Sequence, residues 1–362
     1  MKGSLKLGRI AGINVFVHWT FSLLLLFIIF TNIREGYNAI QVLWSLFFIL
    51  SIFVTVVLHE LGHALTAKKF NINTKDITLL PIGGLARLES IPEKPREEWL
   101  VAIAGPLVNL AIAFAVYFFV HIPEPDQMEA FVADGINGQN FLFLFFMVNI
   151  WLSIFNLLPV FPMDGGRIFR ATLSHFINRV KATKIATRLG QLLALGFVIG
   201  GFYVNPFLIF IGLFIMFGAQ AELNMVSTRY LLKDSSIGKI TMQQYETLKT
   251  DDTISVAVQK LLNGTAKSFL VLENEKPIAT LNRDAMIKAL SESGKDTPIQ
   301  DIMDTELLSF DANTPIEKVY KSMTEKGQEL ALIKDSENYI GVVDSENISE
   351  YIMVKNAVGG KY

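Results

Sequence analysis

The sequence predicts a polytopic α-helical membrane domain of about six transmembrane helices with a small β hairpin, followed by an α/β domain pair. Two observations support the membrane domain. The first is that 51% of the 362 residues are hydrophobic, including 28 Phe. The second is that this apolar excess lies before about residue 230. A third observation supports the domain pair: beyond that point the composition becomes ordinary and a segment repeats. We expect domains at 1–230, 236–295 and 298–355.

Six apolar stretches approach the ~17–25 residues that a bilayer-spanning helix needs. They lie at roughly 15–32, 41–67, 98–120, 141–158, 186–204 and 206–222. The fourth is short, and only Asn205–Pro206 separates the last two, so the count is five or six. Lys2, Lys6 and Arg9 precede the first stretch, as in a signal peptide. Because no small-residue cleavage site follows within the run, we interpret it as a retained first helix.

Basic residues around these stretches predict the orientation of the chain. With the N-terminus in the cytoplasm, the second, fourth and sixth stretches also end there, and Lys or Arg follows each of them. The opposite segments are poor in both: 33–40 has only Arg34, and 121–140 has none but carries four acids. We therefore expect a multi-pass protein of the cell (inner) membrane whose N-terminus and C-terminal domain pair are cytoplasmic.

Cysteine is absent and the formal net charge is −2. The first fact excludes disulfides, thiolate metal ligands and a cysteine nucleophile. The second gives no indication of a nucleic-acid partner. Any metal site must therefore be built from His, Asp or Glu.

The second apolar stretch contains H-E-x-x-H at His59, Glu60 and His63. On a helix the two histidines lie one turn apart on the same face, so both imidazoles can reach one Zn²⁺. Glu60 adjoins the first histidine, where its carboxylate can take a proton from a metal-activated water. The pattern also recurs by chance, but ionisable residues inside a membrane-length apolar segment are costly unless they serve a site. We therefore predict a metal site here.

A third metal ligand is predicted after the fourth stretch. Pro159 and Pro162 break the helix there, and Gly165–Gly166 let the backbone turn sharply. Asp164 lies between them, on the same predicted side of the membrane as the histidines, and would complete a His₂Asp site with water in the fourth position. The alternative is an aspartate that caps the helix beginning near 165–167. Capping does not require the flanking prolines, so we favour the ligand.

Two further segments carry open alternatives. Residues 72–88 are β-branched, partly alternating and broken by Gly83–Gly84, which predicts two short strands. These strands can pair with an extended peptide or form a plain cytoplasmic hairpin, and the sequence favours neither. Gly105–Pro106 should kink the third span and free backbone groups that Asn109 can satisfy, although helix packing alone would explain this motif.

Three separated motifs together resemble the site-2 protease family of intramembrane zinc metalloproteases over about residues 10–225. They are H-E-L-G-H in an apolar helix, A-G-P-x-x-N at 104–109 and N-x-x-P-x-x-P-x-D-G-G-R at 156–167. The resemblance implies one Zn²⁺ per chain held by His59, His63 and Asp164, with Glu60 as the catalytic glutamate. It also implies that Asn156 helps to bind substrate or oxyanion.

The same resemblance implies an activity and a partner. The activity is hydrolysis of peptide bonds in or near transmembrane segments of membrane proteins, as in regulated intramembrane proteolysis. The implied substrate is a single-span membrane protein, such as an anti-sigma factor or a signal-peptide remnant. Gly83–Gly84 match a family motif placed near the substrate path. No PDZ-like insert is present, so the chain resembles the branch with a C-terminal domain pair.

The C-terminal repeat has a constant offset of 62 residues, which maps Ile254 to Ile316 and Leu270 to Leu332. Each copy is predicted as strand, helix, strand, strand, helix, and the whole resembles a tandem of cystathionine-β-synthase (CBS) domains. Such pairs often bind adenine nucleotides. Here the family's nucleotide pattern survives only loosely, at 341–347, so a dimerising or regulatory module without a ligand is an equal alternative. The resemblance is compatible with a homodimer formed through these domains.

Two other functions fit parts of the pattern. A CBS-regulated membrane transporter would spread polar residues along several spans, whereas here the intramembrane polar groups are predicted to converge on the metal site. A catalytically silent scaffold homologue would not need the intact H-E-x-x-H. The sequence therefore favours the zinc metalloendopeptidase.

Overall fold

The computed structural model describes residues 3–81, 83–89, 92–124, 127–128, 131, 135–233, 235–336 and 338–358. The chain divides into a first unit, Met1–Asn224, and a second unit, Met225–Tyr362. The first unit consists of apolar helices and one sheet, and the second of two small sheets with their helices.

A four-stranded sheet of order β1-β2-β3-β4 belongs to the first unit. The central pair, β2 and β3, is parallel, and the two outer pairs are antiparallel. Strands β3 and β4 are the hairpin that the sequence predicts at 72–88. The strand bounds are β1 Ser4–Ile10, β2 Ile13–His18, β3 Thr74–Leu80 and β4 Gly83–Leu88.

Strands β1 and β2 were not expected, and they correct the predicted start of the first membrane helix. Residues 15–18 belong to β2, and the helix begins at Phe21. Ile13 and Val15 are buried in the sheet's core at a spacing of two, which is the strand period. A short apolar run does not distinguish strand from helix by periodicity, and here the pairing with β3 decides for strand.

Seven helices lie between residues 21 and 232 of the described chain. Four of them, α2, α3, α6 and α7, are long and apolar enough to cross a membrane, and α1 and α4 are shorter apolar helices. The polytopic helical fold is therefore confirmed. The bounds are α1 Phe21–Arg34, α2 Ala39–Lys68, α3 Pro95–Tyr117, α4 Phe141–Leu157, α5 Asp164–Leu173, α6 Arg179–Tyr203 and α7 Phe207–Leu232.

Several helix boundaries have a local cause. Asn38 caps α2 through a capping box with Gln41. The helix α6 begins earlier than predicted because the Asn178 side chain accepts a hydrogen bond from the backbone N–H of Val180. The helix α3 continues through Pro106, so Gly105–Pro106 does not end it.

The second unit contains two copies of one motif. The first copy pairs Thr247 with Leu270 and the second pairs Ser309 with Leu332, so the register repeats at the predicted offset of 62. Both three-stranded sheets join a parallel pair to an antiparallel pair. The first copy comprises β5 Thr247–Lys249, α8 Ile254–Asn263, β6 Ser268–Glu273, β7 Lys276–Asn282 and α9 Arg283–Ser293; the second comprises β8 Ser309–Asp311, α10 Ile316–Lys326, β9 Leu330–Asp335, β10 Asn338–Asp344 and α11 Ser345–Ala357.

The two copies exchange single β-bridges. Thr280 of the first copy pairs with Asp304, which precedes the second, and Val342 of the second copy pairs with Met242, which precedes the first. These bridges are also related by the 62-residue offset. The arrangement has the pseudo-two-fold symmetry expected of a tandem domain pair.

Candidate metal centre

The helix α2 presents its two histidines to the interior of the first unit. His59 and His63 are i and i+4 on this helix, and both are buried. Their spacing places the rings on one face, with ring centroids 4.8 Å apart. The two imidazoles therefore lie on the same face of the helix, as their spacing predicts.

Asp164 joins the two histidines from a distant part of the chain. Its Oδ2 atom lies 3.2 Å from Nε2 of His59 and 3.1 Å from Nε2 of His63, and the two Nε2 atoms are 3.1 Å apart. A tetrahedral zinc ion with bonds of ~2.0–2.1 Å keeps its ligand atoms about 3.3–3.4 Å apart. The three ligand atoms therefore form a triangle of nearly the required size.

Hydrogen bonds on the far side of both rings set their orientation. Nδ1 of His63 donates to the backbone carbonyl of Val101 at 2.7 Å, and Nδ1 of His59 lies 2.6 Å from Oδ1 of Asn109. Because carbonyl oxygens only accept, both Nδ1 atoms carry the proton and both Nε2 atoms present lone pairs. Such outer contacts are typical of metal-binding histidines.

Gly105 leaves the space that an ion would need. An ideal Cβ built on this residue would lie 2.2 Å from Nε2 of His63 and 2.6 Å from Nε2 of His59. Zinc–nitrogen bonds are ~2.0–2.1 Å, so this point is close to coordination distance from Nε2 of His63 and lies somewhat farther from Nε2 of His59. A side chain on α3 at this position would fill it. The donor set and the space together fit a zinc ion.

Asp164 is the first residue of α5, and the residue before it, Met163, occupies the N-cap position without a side-chain hydrogen bond. The carboxylate is directed to the histidines instead. An ionised carboxylate at this position is a suitable ligand for a cation.

Glu60 lies beside strand β4. Its Oε2 accepts a hydrogen bond from the backbone N–H of Ala86 at 3.2 Å. A Cβ on Gly84 would lie 2.8 Å from Cγ of Glu60, so this glycine permits the close approach of strand and glutamate. The predicted strands therefore contact the glutamate of the H-E-x-x-H motif.

Asn156, a predicted site residue, has a different local role. It is half-buried on α4, and its Nδ2 donates to the carbonyl of Leu152 in the same helix. Among the described residues, no hydrogen bond joins Asn156 to the two histidines, Glu60 or Asp164.

Sequence reasoning missed three contributors to this centre: Asn109, Gly105 and the carbonyl of Val101. Asn109 was assigned to freed backbone groups, whereas its Oδ1 contacts a histidine. Gly105 and Asn109 are one helical turn apart, so both lie on the face of α3 toward α2. The sequence does contain a signal for this contact, because a polar residue such as Asn109 within a membrane-length apolar helix needs a partner. In the structure Asn109 is buried.

Apolar helices that enclose two imidazoles and a carboxylate able to hold a metal ion define a class: integral membrane proteins with an internal candidate metal site. The sequence matches the family model of peptidase family M50 at residues 47–134 and 132–197, and the CBS domain model at residues 299–354. A zinc metalloprotease of Methanocaldococcus jannaschii is 35% identical over 315 residues, or 84% of this chain and 88% of that protein.

Two other similarities accompany these matches. Stage IV sporulation protein FB of Bacillus subtilis is 26% identical over 254 residues, or 67% of this chain and 83% of that protein. The solved structure of a site-2 protease from Methanocaldococcus jannaschii shows 38% identity and a TM-score of 0.45, covering 61% of this chain and 95% of that one. The chain belongs to peptidase family M50, the site-2 protease-like zinc metalloproteases, and carries CBS domains in its C-terminal part.

Proposed function

We propose that this protein is an intramembrane zinc metalloendopeptidase that hydrolyses peptide bonds in or near transmembrane segments of membrane proteins. The observation that carries the proposal is the convergence of His59, His63 and Asp164 within 3.2 Å of one another, buried in an apolar helical unit. These three residues would hold one zinc ion per chain. Zinc, when bound, supplies the Lewis acidity that lowers the pKa of a water molecule to ~7.

Glu60 is the group proposed to move the proton. Its carboxylate would accept a proton from the attacking water and pass it to the leaving amine of the cleaved bond. The N–H of Ala86 holds one of its oxygens, which leaves the other oxygen for this work. Asn156 is proposed to bind the substrate carbonyl or the oxyanion, since a side-chain amide is a suitable donor.

Strand β4 is proposed to bind the substrate. It is the last strand of the sheet as described, and it contacts Glu60 through Ala86. An extended peptide can add to such an edge by main-chain hydrogen bonds. A peptide bond within a helix is not accessible to an attacking water molecule. We therefore propose that a single-span membrane protein unwinds locally and that the unwound segment pairs with β4. This contact favours substrate pairing over the plain hairpin that the sequence left open.

The proposed domains are 1–230 for the protease and 236–295 and 298–355 for two CBS domains. The pair would be a regulatory module for regulated intramembrane proteolysis, on the cytoplasmic side with the N-terminus, as the basic residues indicate. A homodimer through this pair and an adenine nucleotide bound to it are further expectations. The substrates expected are single-span proteins, such as an anti-sigma factor or a signal-peptide remnant.

The Glu60→Gln variant tests the assignment. Cleavage of a co-expressed single-span membrane protein should fall at least ~100-fold, the usual contribution of a general base, while zinc stays bound. The matched control is Glu35→Gln, which changes an exposed glutamate at the end of α1 and should cleave normally. Asp164→Ala should lose both zinc and cleavage. Wild-type cleavage by Glu60→Gln would contradict its role, and ion flux without cleavage would support the transporter.

A further inference from the structure

A second cluster of ionised side chains lies in the first unit, outside the metal centre. It joins four helices: Glu98 of α3, Arg170 of α5, Arg179 of α6 and Glu222 of α7. Arg170 is completely buried, and both glutamates are less than a tenth exposed. Sequence reasoning did not find this cluster, because its members are distant along the chain.

The guanidinium of Arg170 is the centre of the cluster. Its Nε donates to Oε1 of Glu98 at 2.9 Å, and its Nη1 donates to Oε1 of Glu222 at 2.6 Å. Its Nη2 also contacts Glu98. Arg179 approaches the other oxygen of Glu98, with Nη2 at 3.0 Å from Oε2. Two cations thus meet two carboxylates, and Arg167 also interacts electrostatically with both glutamates.

A buried ion pair is weak evidence for stability, because removing charges from water offsets most of the attraction between them. Apolar residues of similar size would hold these helices together at least as well. Arginine, however, fixes geometry: its planar fork accepts only one arrangement of the two carboxylates. The cluster is therefore better explained by a need for orientation than by a need for stability.

The element most in need of orientation is α5. It has only ten residues, and Asp164 is the first of them. Gly165 and Gly166 pack it against the preceding backbone: a Cβ on Gly165 would lie 2.2 Å from the carbonyl oxygen of Leu158. Arg170 is in its last turn. The helix is therefore fixed at its first turn by backbone contact and at its last turn by the ion cluster.

We propose that Arg170, held by Glu98 and Glu222, is a positioning residue that fixes the helix α5 so that Asp164 stays within coordination distance of both histidines. This inference rests on the proposed metal site. It assigns no contact with substrate or metal to Arg170. Removing the cluster should leave all three ligands in the chain but let Asp164 move away from the ring nitrogens.

The test uses the full-length protein in detergent with Co²⁺ as the probe ion, since its visible absorption reports the geometry of its ligands. Arg170→Gln and Glu222→Gln should weaken Co²⁺ binding ~10–100-fold, which is the usual effect of losing a residue that orients a metal ligand. Both variants should also change the absorption spectrum. Arg170→Lys keeps the charge and should recover part of the affinity. Arg283→Gln, at an exposed arginine paired with Asp284, is the control and should behave as wild type.

The outcomes separate positioning from stability. If Arg170→Gln and Glu222→Gln lower the thermal midpoint but bind Co²⁺ with wild-type affinity and spectrum, the proposal is wrong. If Arg170→Gln does not fold, the milder Glu222→Gln, which keeps the side-chain volume, decides alone. His59→Ala is the reference for the site: wild-type Co²⁺ affinity in that variant would overturn the metal site itself.

Discussion

The two units of the chain differ in their surfaces and in the charged groups that they bury. The first unit exposes large apolar residues such as Phe202 and Phe210 and buries charged ones such as Arg170 and Glu98. The second unit buries apolar residues such as Phe269 in two hydrophobic clusters, and Lys355 is a charged residue that it buries. In lipid an apolar exterior carries no penalty, whereas each buried polar group is costly unless it is paired. Buried polar residues in the first unit therefore indicate function, while buried apolar residues in the second indicate packing.

The strongest test of this contrast is at Gly105. Gly105→Ala would place a methyl group in the proposed metal space and should reduce bound zinc to near zero, measured by elemental analysis of the purified protein. Gly196→Ala is the matched control, because a Cβ at that helical position has no neighbour within 4 Å. It should bind zinc normally. Normal zinc content in Gly105→Ala would show that the zinc ion does not occupy the space beside Gly105.

A second test compares one substitution in the two environments. Phe269→Ala removes a completely buried ring from the second unit and should cost about 3–5 kcal/mol of its unfolding free energy. Phe210→Ala removes a ring that is 68% exposed on α7 and should change stability by no more than about 0.5 kcal/mol. Hydrogen exchange of strand amides in the full-length protein measures the first, and thermal unfolding the second. A large loss in Phe210→Ala would mean that this face packs against protein.

The smallest of the three effects is expected at Asn109. Asn109→Ala removes the acceptor for His59 Nδ1 but leaves the three ligands in place. Zinc affinity should fall ~10–100-fold, measured by competition with a chelator. Ser153, which donates to a backbone carbonyl of α3, provides a control as Ser153→Ala, expected to keep wild-type affinity. Equal zinc affinity in Asn109→Ala and Ser153→Ala would show that Asn109 does not contribute to zinc binding.

The parts of the site that were predictable are those set by local spacing or chain breaks. His59 and His63 follow from the helical period, and Asp164 from a carboxylate between two prolines and two glycines. The strands at 72–88 follow from alternation. The repeat in the second unit follows from its offset, which the register of both sheets reproduces.

The parts that were not predictable depend on contacts between distant segments. Strands β1 and β2 exist because β2 pairs with β3, about sixty residues later, and their sequence alone is compatible with a helix. The partners of Arg170 come from two other helices, so no spacing along the chain connects them. The role of Asn109 is not predictable either, because its partner His59 lies fifty residues away in the sequence.

The exchanged bridges of the second unit have a consequence for its modularity. Each copy completes its last strand with the segment that precedes its twin, through Thr280 with Asp304 and Val342 with Met242. Deleting either copy together with the segment that precedes it would remove this main-chain partner from the other copy. The edge strand of the remaining copy would then have unpaired backbone groups, which favour aggregation. The two copies are therefore parts of one module that is joined by main-chain hydrogen bonds, and not two independent domains in series.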